Sequence, residues 1–108
     1  MKESTNVKVW LTCPTEDAKQ LRLAIGDAGI GTIGNYTHCC FVVEGKGFAK
    51  PNEDANPHIG KAGTIEEIEE VSLEFVCARS QLETLRSVIA EHHPYDEVAM
   101  DIFPLLEF

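Results

Sequence analysis

Nowhere in the 108 residues is there a run of about 20 apolar side chains of the kind a membrane-crossing helix requires. Met1–Asn6 also lacks the apolar core of a secretory leader, so a cytoplasmic location is expected. Positive charge is scarce: 9 Lys and Arg stand against 18 Asp and Glu, for a net charge of -9. That balance argues against nucleic acid and anionic membrane surfaces as partners, because both demand clustered cations. The 4 cysteines include no Cys-x-x-Cys pair, which removes the usual zinc-ribbon and thioredoxin spacings. In the cytoplasm they are expected to be reduced thiols. Gly31, Gly34, Gly45 and Gly47 precede strand-like residues, whereas a phosphate loop needs glycines between a strand and a helix. They read instead as positive-φ links. The length fits one domain spanning residues 1–108.

Hydrophobic periodicity supplies the elements. Val7, Val9, Leu11 and Cys13 alternate with Lys8, Trp10 and Thr12, which predicts a half-buried strand over Val7–Cys13. Thr15 is the expected N-cap of a helix with Glu16 and Asp17 in its first turn. Ala18, Leu21, Ala24, Ile25 and Ala28 form its stripe, and Gly29 ends it. A second strand is predicted over Tyr36–Glu44, followed by one long excursion over residues 45–63, part of which can extend the hairpin. A third strand covers Ile65–Cys77, with Val71, Leu73, Phe75 and Cys77 on one face. Ser80 and Glu83 suggest a capping box for a second helix carrying Leu82, Leu85, Val88 and Ile89. Pro94 stops that helix. A fourth strand runs over Glu97–Leu105, at an edge on account of Pro104.

The order βαβ–βαβ predicts an α+β, ferredoxin-like split βαβ sandwich: a four-stranded antiparallel sheet with two helices on one face and strands one and three central. The other face would then be open and would carry Trp10, Val76 and one register of the second strand. Such a face predicts a homo-oligomer; the alternative is a Trp10 half-covered by the long loop.

Three groups of residues offer chemistry. On a strand, His38 and Cys40 would share a face and could contribute to a zinc or copper site, with a further ligand from His58, His92 or His93. Otherwise Cys39 and Cys40 are small buried residues. Cys13 and Cys77 each end a strand before a helix. If their strands were parallel they would lie together as a redox pair; the alternative is two reduced core cysteines. The turn His93-Pro94-Tyr95-Asp96-Glu97 holds acid–base groups, or is purely architectural. Meeting the Gly31–Tyr36 link of the same or a neighbouring chain, it would make a ligand cleft from Gly34, Asn35, Tyr36, His38, His93, Tyr95 and Glu97. No motif requires a cofactor, and no catalytic residue is singled out.

Several of these segments recur together. Gly31-x-Ile33-Gly34-Asn35-Tyr36-x-x-Cys39, Gly45-x-Gly47, Pro51, Ala55-Asn56-Pro57-x-Ile59-Gly60, Gly63-x-x-Glu66 and His93-Pro94-Tyr95-Asp96-Glu97-Val98-Ala99-x-Asp101-Ile102-x-Pro104-Leu105 resemble the insert domain of the YqfO (Nif-three-like) family. The match runs from about Val7 to Leu105. In that family the insert lies between two halves that carry a two-metal centre. Neither half lies within these residues, so the hydrolase-like activity is not implied here. The resemblance implies a CutA/PII-like fold and a trimer with its sheets inward, PII-like trimers holding small ligands between subunits. His93-Pro94-Tyr95 is similar to a CutA segment as well. The chain departs from the family pattern at Phe48, Asp54 and His58, in and beside the long loop. The expectation is a non-enzymatic binding or regulatory module for a small molecule or protein. Its alternatives are a CutA-type divalent-metal binder and a docking subunit for a YqfO-type protein.

Overall fold

The strands and helices alternate twice along the chain. In the computed structural model, which describes residues 1–108, Lys2–Pro14 forms β1, Ala18–Asp27 α1, Phe41–Ala49 β2, Glu66–Ala78 β3, Leu82–His92 α2 and Met100–Glu107 β4. The strands make one antiparallel sheet in the order β2-β3-β1-β4, so β1 and β3 are central and Pro104 lies on an edge strand, as expected. Alternation decides which face is covered. Val7, Val9, Leu11 and Cys13 of β1 and Val71, Leu73, Phe75 and Cys77 of β3 are buried. They pack with Leu21 and Ile25 of α1, Ile30, and Leu85 and Ile89 of α2 in one core of 13 residues. Both helices therefore lie on the same side of the sheet. Burying each of the fully enclosed leucines, Leu11, Leu21, Leu73 and Leu85, contributes about 2 kcal/mol or more.

The even-numbered face of β1 has no helix over it. Trp10 and Val76 are half-buried there. The pairings Phe41↔Glu74 and Lys8↔Phe103 put Phe41, Val43 and Phe103 on the same side, 68%, 46% and 49% exposed. Beyond Pro14↔Glu70, where β1 stops, β2 and β3 continue as a two-stranded arm to Ala49↔Glu66.

Several element ends differ from expectation for identifiable reasons. β1 begins at Lys2 because its first residues pair with the end of β4, across an irregularity between Glu3 and Val7; both faces are wet there, so no alternation marks it. Thr15 is not a helix cap: Thr15–Asp17 forms a single 3-10 turn leading from Pro14 into α1, with no side-chain cap bond. Ser80 likewise lies inside a 3-10 turn, Arg79–Gln81, and it is Gln81 Oε1 that accepts from the Ala78 N–H at 3.0 Å. β2 starts at Phe41 rather than Tyr36. Ile33 and Tyr36 bond to each other's backbone in a tight turn, and His38 adopts a left-handed φ of 59° that breaks the extended path. Gly45 and Gly47 lie within β2 rather than in a loop. A side chain at Gly47 would occupy the space filled by the Glu70 carboxylate, so the missing Cβ admits a neighbour and no positive φ is involved.

Candidate functional site

The turn after α2 is built around His93, which is buried. The Tyr95 N–H donates to His93 Nδ1 at 3.1 Å, so that nitrogen carries no proton and Nε2 carries one. Nε2–H in turn donates to the Thr12 carbonyl at 2.8 Å. Both ring nitrogens are thus engaged with backbone, and the imidazole ties the end of α2 to the end of β1. The Tyr95 ring stacks at a tilt on His93, with centroids 4.9 Å apart, and its hydroxyl donates to Glu70 Oε2 at 2.9 Å. Burial, then the Glu70 hydrogen bond, pushes the phenol pKa far above its ordinary value, so Tyr95 is a neutral donor at any physiological pH.

Residues 50–65 fold back toward this turn. The Asn56 N–H donates to Asp96 Oδ2 at 3.0 Å, and the His58 ring lies 6.3 Å from that of Tyr95. Between loop and turn is a hollow of about 300 Å³ walled by Pro51, Asn52, His58, Ile68, Tyr95, Asp96 and Glu97 among others. That volume suits a small ligand. Of the expected cleft residues, Tyr95 and Glu97 line it, and His93 supports it from behind.

Gly34, Asn35, Tyr36 and His38 are elsewhere. The link between α1 and β2 starts beside α2's beginning, where Gln81 Nε2 donates to the Gly29 carbonyl at 3.0 Å. That is the Asn6↔Ala78 end of the central ladder, whereas Tyr95 binds Glu70, opposite Pro14. Eight residues of strand separate the two, roughly 26 Å at about 3.3 Å per residue. A cleft joining the two motifs within one chain is therefore excluded; only separate chains could bring them together. Tyr36 is 74% exposed at the turn's edge.

His38 and Cys40 do not alternate along a strand, because both precede β2. His38 Nε2 bonds Asp27 Oδ1 and Nδ1 bonds the Thr37 hydroxyl, each at 2.9 Å. Its ring lies directly on Gly26, where a Cβ would collide with it. His38, Cys39 and Cys40 border a crevice of only about 10 Å³, too small for a hydrated ion. The expected metal pair has the wrong geometry and occupied nitrogens.

The redox pair is corrected too. β1 and β3 are antiparallel, so Cys13 faces Val71 and Cys77 faces Val7, at opposite ends of the ladder. Both thiols are buried and free. Burial, helped by Asp17 and Glu70, pushes Cys13 up to about 11, and burial also raises Cys77, the reverse of thiolate activation.

A cluster that spacing could not reveal lies beside the hollow. Glu16, Asp17 and His58 each place a ligand-type atom within 4.8 Å of the others. Glu16 and Asp17 read as helix-start acids in sequence. His58 is some forty residues away, and no spacing rule connects them.

Together the sheet order, the two helices on one side and the open face define a CutA-like α+β domain. Solved CutA proteins from Archaeoglobus fulgidus (TM-score 0.69, 14% identity) and Thermus thermophilus (TM-score 0.70, 17% identity) share this fold over 95% of the chain and 86% of their own length. A finer match exists: the crystal structure of a Bacillus cereus protein related to NIF3 superposes with a TM-score of 0.81 at 38% identity, covering 98% of this chain and 26% of that one. The GTP cyclohydrolase 1 type 2 homolog of Bacillus subtilis is 43% identical over 98 residues, 91% of this chain and 26% of the relative; that of Mycobacterium tuberculosis is 42% identical over 94 residues, 86% and 24%. No protein-family model matches. The chain is a homologue of one segment of the YqfO/NIF3 proteins and spans about a quarter of the length of the curated relatives it matches.

Proposed function

We propose that this chain is a non-enzymatic binding module that assembles as a trimer through its open sheet face and holds a small polar ligand in the hollow between the 50–65 loop and the His93–Glu97 turn. The observation that carries the reading is the uncovered face: Trp10, Phe41, Val43 and Phe103 lie, beside Lys8, Glu74 and Asp101, on the side of the sheet that carries no helix. Leaving such apolar side chains in water is costly, and a second copy is the partner always available. The motif resemblance to trimeric CutA and PII proteins sets the expected number at three. The hollow supplies apolar walls at Pro51 and Ile68 and polar groups at Asn52, Asp96 and Glu97. His93, with both nitrogens engaged, acts as a latch for the turn rather than a proton shuttle.

Native mass spectrometry of untagged protein taken from clarified lysate tests this reading. An oligomer carrying an extra small mass, lost in an Asp96→Ala variant, is expected. An oligomer of bare 11.9 kDa chains would contradict the ligand-binding part. A second reading is favoured by the share of the relatives covered: the module works beside the remaining three quarters of a NIF3-like protein, as a docking or regulatory part. A complex with such a protein in the same spectrum would support it.

A further inference from the structure

We propose that Glu16, Asp17 and His58 form a binding site for a borderline divalent metal cation, with zinc as the reference ion, and that the ion clasps the 50–65 loop to the start of α1. The three side chains come from two separate segments: the 3-10 turn before α1 and the loop. One ligand-type atom from each lies within 4.8 Å of the other two.

The second observation is Asp17 Oδ2, which is buried from solvent and accepts no hydrogen bond. A buried carboxylate oxygen without a donor costs free energy that a cation would recover. No protein cation does so, since neither Glu16 nor Asp17 belongs to any of the ion pairs in the structure. The surroundings add negative charge: Glu16 shares a surface hollow with Glu67, Glu69 and Ile59.

The donor set selects the class of ion. One imidazole and two carboxylates suit zinc, manganese or cobalt. There is no thiolate for copper(I), and calcium and magnesium take oxygen ligands alone. Ligands about 2.0–2.2 Å from a tetrahedral zinc stand roughly 3.5 Å apart, inside the 4.8 Å within which the three ligand-type atoms lie. His58 also walls the ligand hollow, so an ion held there fixes that wall in place.

The experiment uses the untagged chain, stripped with chelator and titrated calorimetrically with zinc. One equivalent per chain is expected. Asp17→Asn and His58→Ala should each weaken it by roughly tenfold or more, whereas Cys40→Ser should leave it unchanged. His58 and Glu16 are exposed and Asp17→Asn keeps the side-chain shape, so these variants are expected to fold. As a second readout, zinc should slow proteolysis within residues 50–65 in the native chain and not in His58→Ala. Absence of zinc binding, binding undiminished in both variants, or binding lost in Cys40→Ser would overturn the proposal.

Discussion

Replacing His93 with alanine isolates the latch that joins α2, β1 and the ligand hollow. The change removes the acceptor of the Tyr95 N–H and the donor to the Thr12 carbonyl, bonds of 3.1 and 2.8 Å around a buried ring. Leaving a buried polar group without a partner costs about 1–3 kcal/mol, and the missing imidazole also removes the ring on which Tyr95 stacks. The expected loss is roughly 3–5 kcal/mol, a large share of the 5–15 kcal/mol that holds a typical domain folded. Urea unfolding at pH 7 and fixed chain concentration measures it. With a slope of about 1–2 kcal/mol per molar, the midpoint should fall by roughly 3 M with little change in slope. His93→Gln, able to restore one of the two bonds, should lose about half as much. His92→Ala, one residue earlier and outside the core, should stay within about 0.5 kcal/mol. A His93→Ala midpoint within about 0.5 M of the parent would refute the latch and return His93 to the pool of groups free for chemistry.

Two further perturbations probe the packing. Cys13 is neutral in the folded chain with its pKa raised from 9.0 to about 11, so folding retains a proton that the unfolded thiol gives up. Stability is whole below pH 9 and falls as pH climbs toward 11, with Cys13 accounting for up to about 2–3 kcal/mol; thermal melts across that window should show the slope, and Cys13→Ala should lessen it, leaving the part that comes from Cys77 and Tyr95. Gly26→Ala places a methyl where the His38 ring lies. It should destabilise by about 1–2 kcal/mol despite the roughly 1 kcal/mol gained in helix propensity. In a His38→Ala background the same change should turn favourable, and a double-mutant cycle reads the difference.

What the sequence made legible was whatever one buried face imposes. β1 and β3 alternate because each has a packed side and a wet side, so Val7 to Cys13 and Val71 to Cys77 could be read residue by residue. The edge strands were blurred because their ends are wet on both faces. The start of β2 depended on a left-handed His38, which no propensity announces. Gly45 and Gly47 looked like a loop because the reason for Gly47, the Glu70 side chain lying across it, comes from another strand. The antiparallel pairing that separates Cys13 from Cys77 follows from the topology already inferred. The site was legible in part. Tyr95 and Glu97 were singled out by their motif, and both line the hollow. The partners that shape it, Glu70 for Tyr95 and Asn56 for Asp96, are distant in sequence. So are Glu16, Asp17 and His58, whose meeting depends on how the loop folds back.

The central claim is that the open face is buried between copies of this chain. Sedimentation equilibrium of the untagged protein, beside a Phe103→Glu variant, tests it most directly. Phe103 is half exposed on that face and lies outside the core, so the variant should fold. The native chain should sediment at three times its 11.9 kDa mass and the variant at one chain. A native mass of one chain would contradict the claim and leave Trp10, Phe41 and Phe103 facing water.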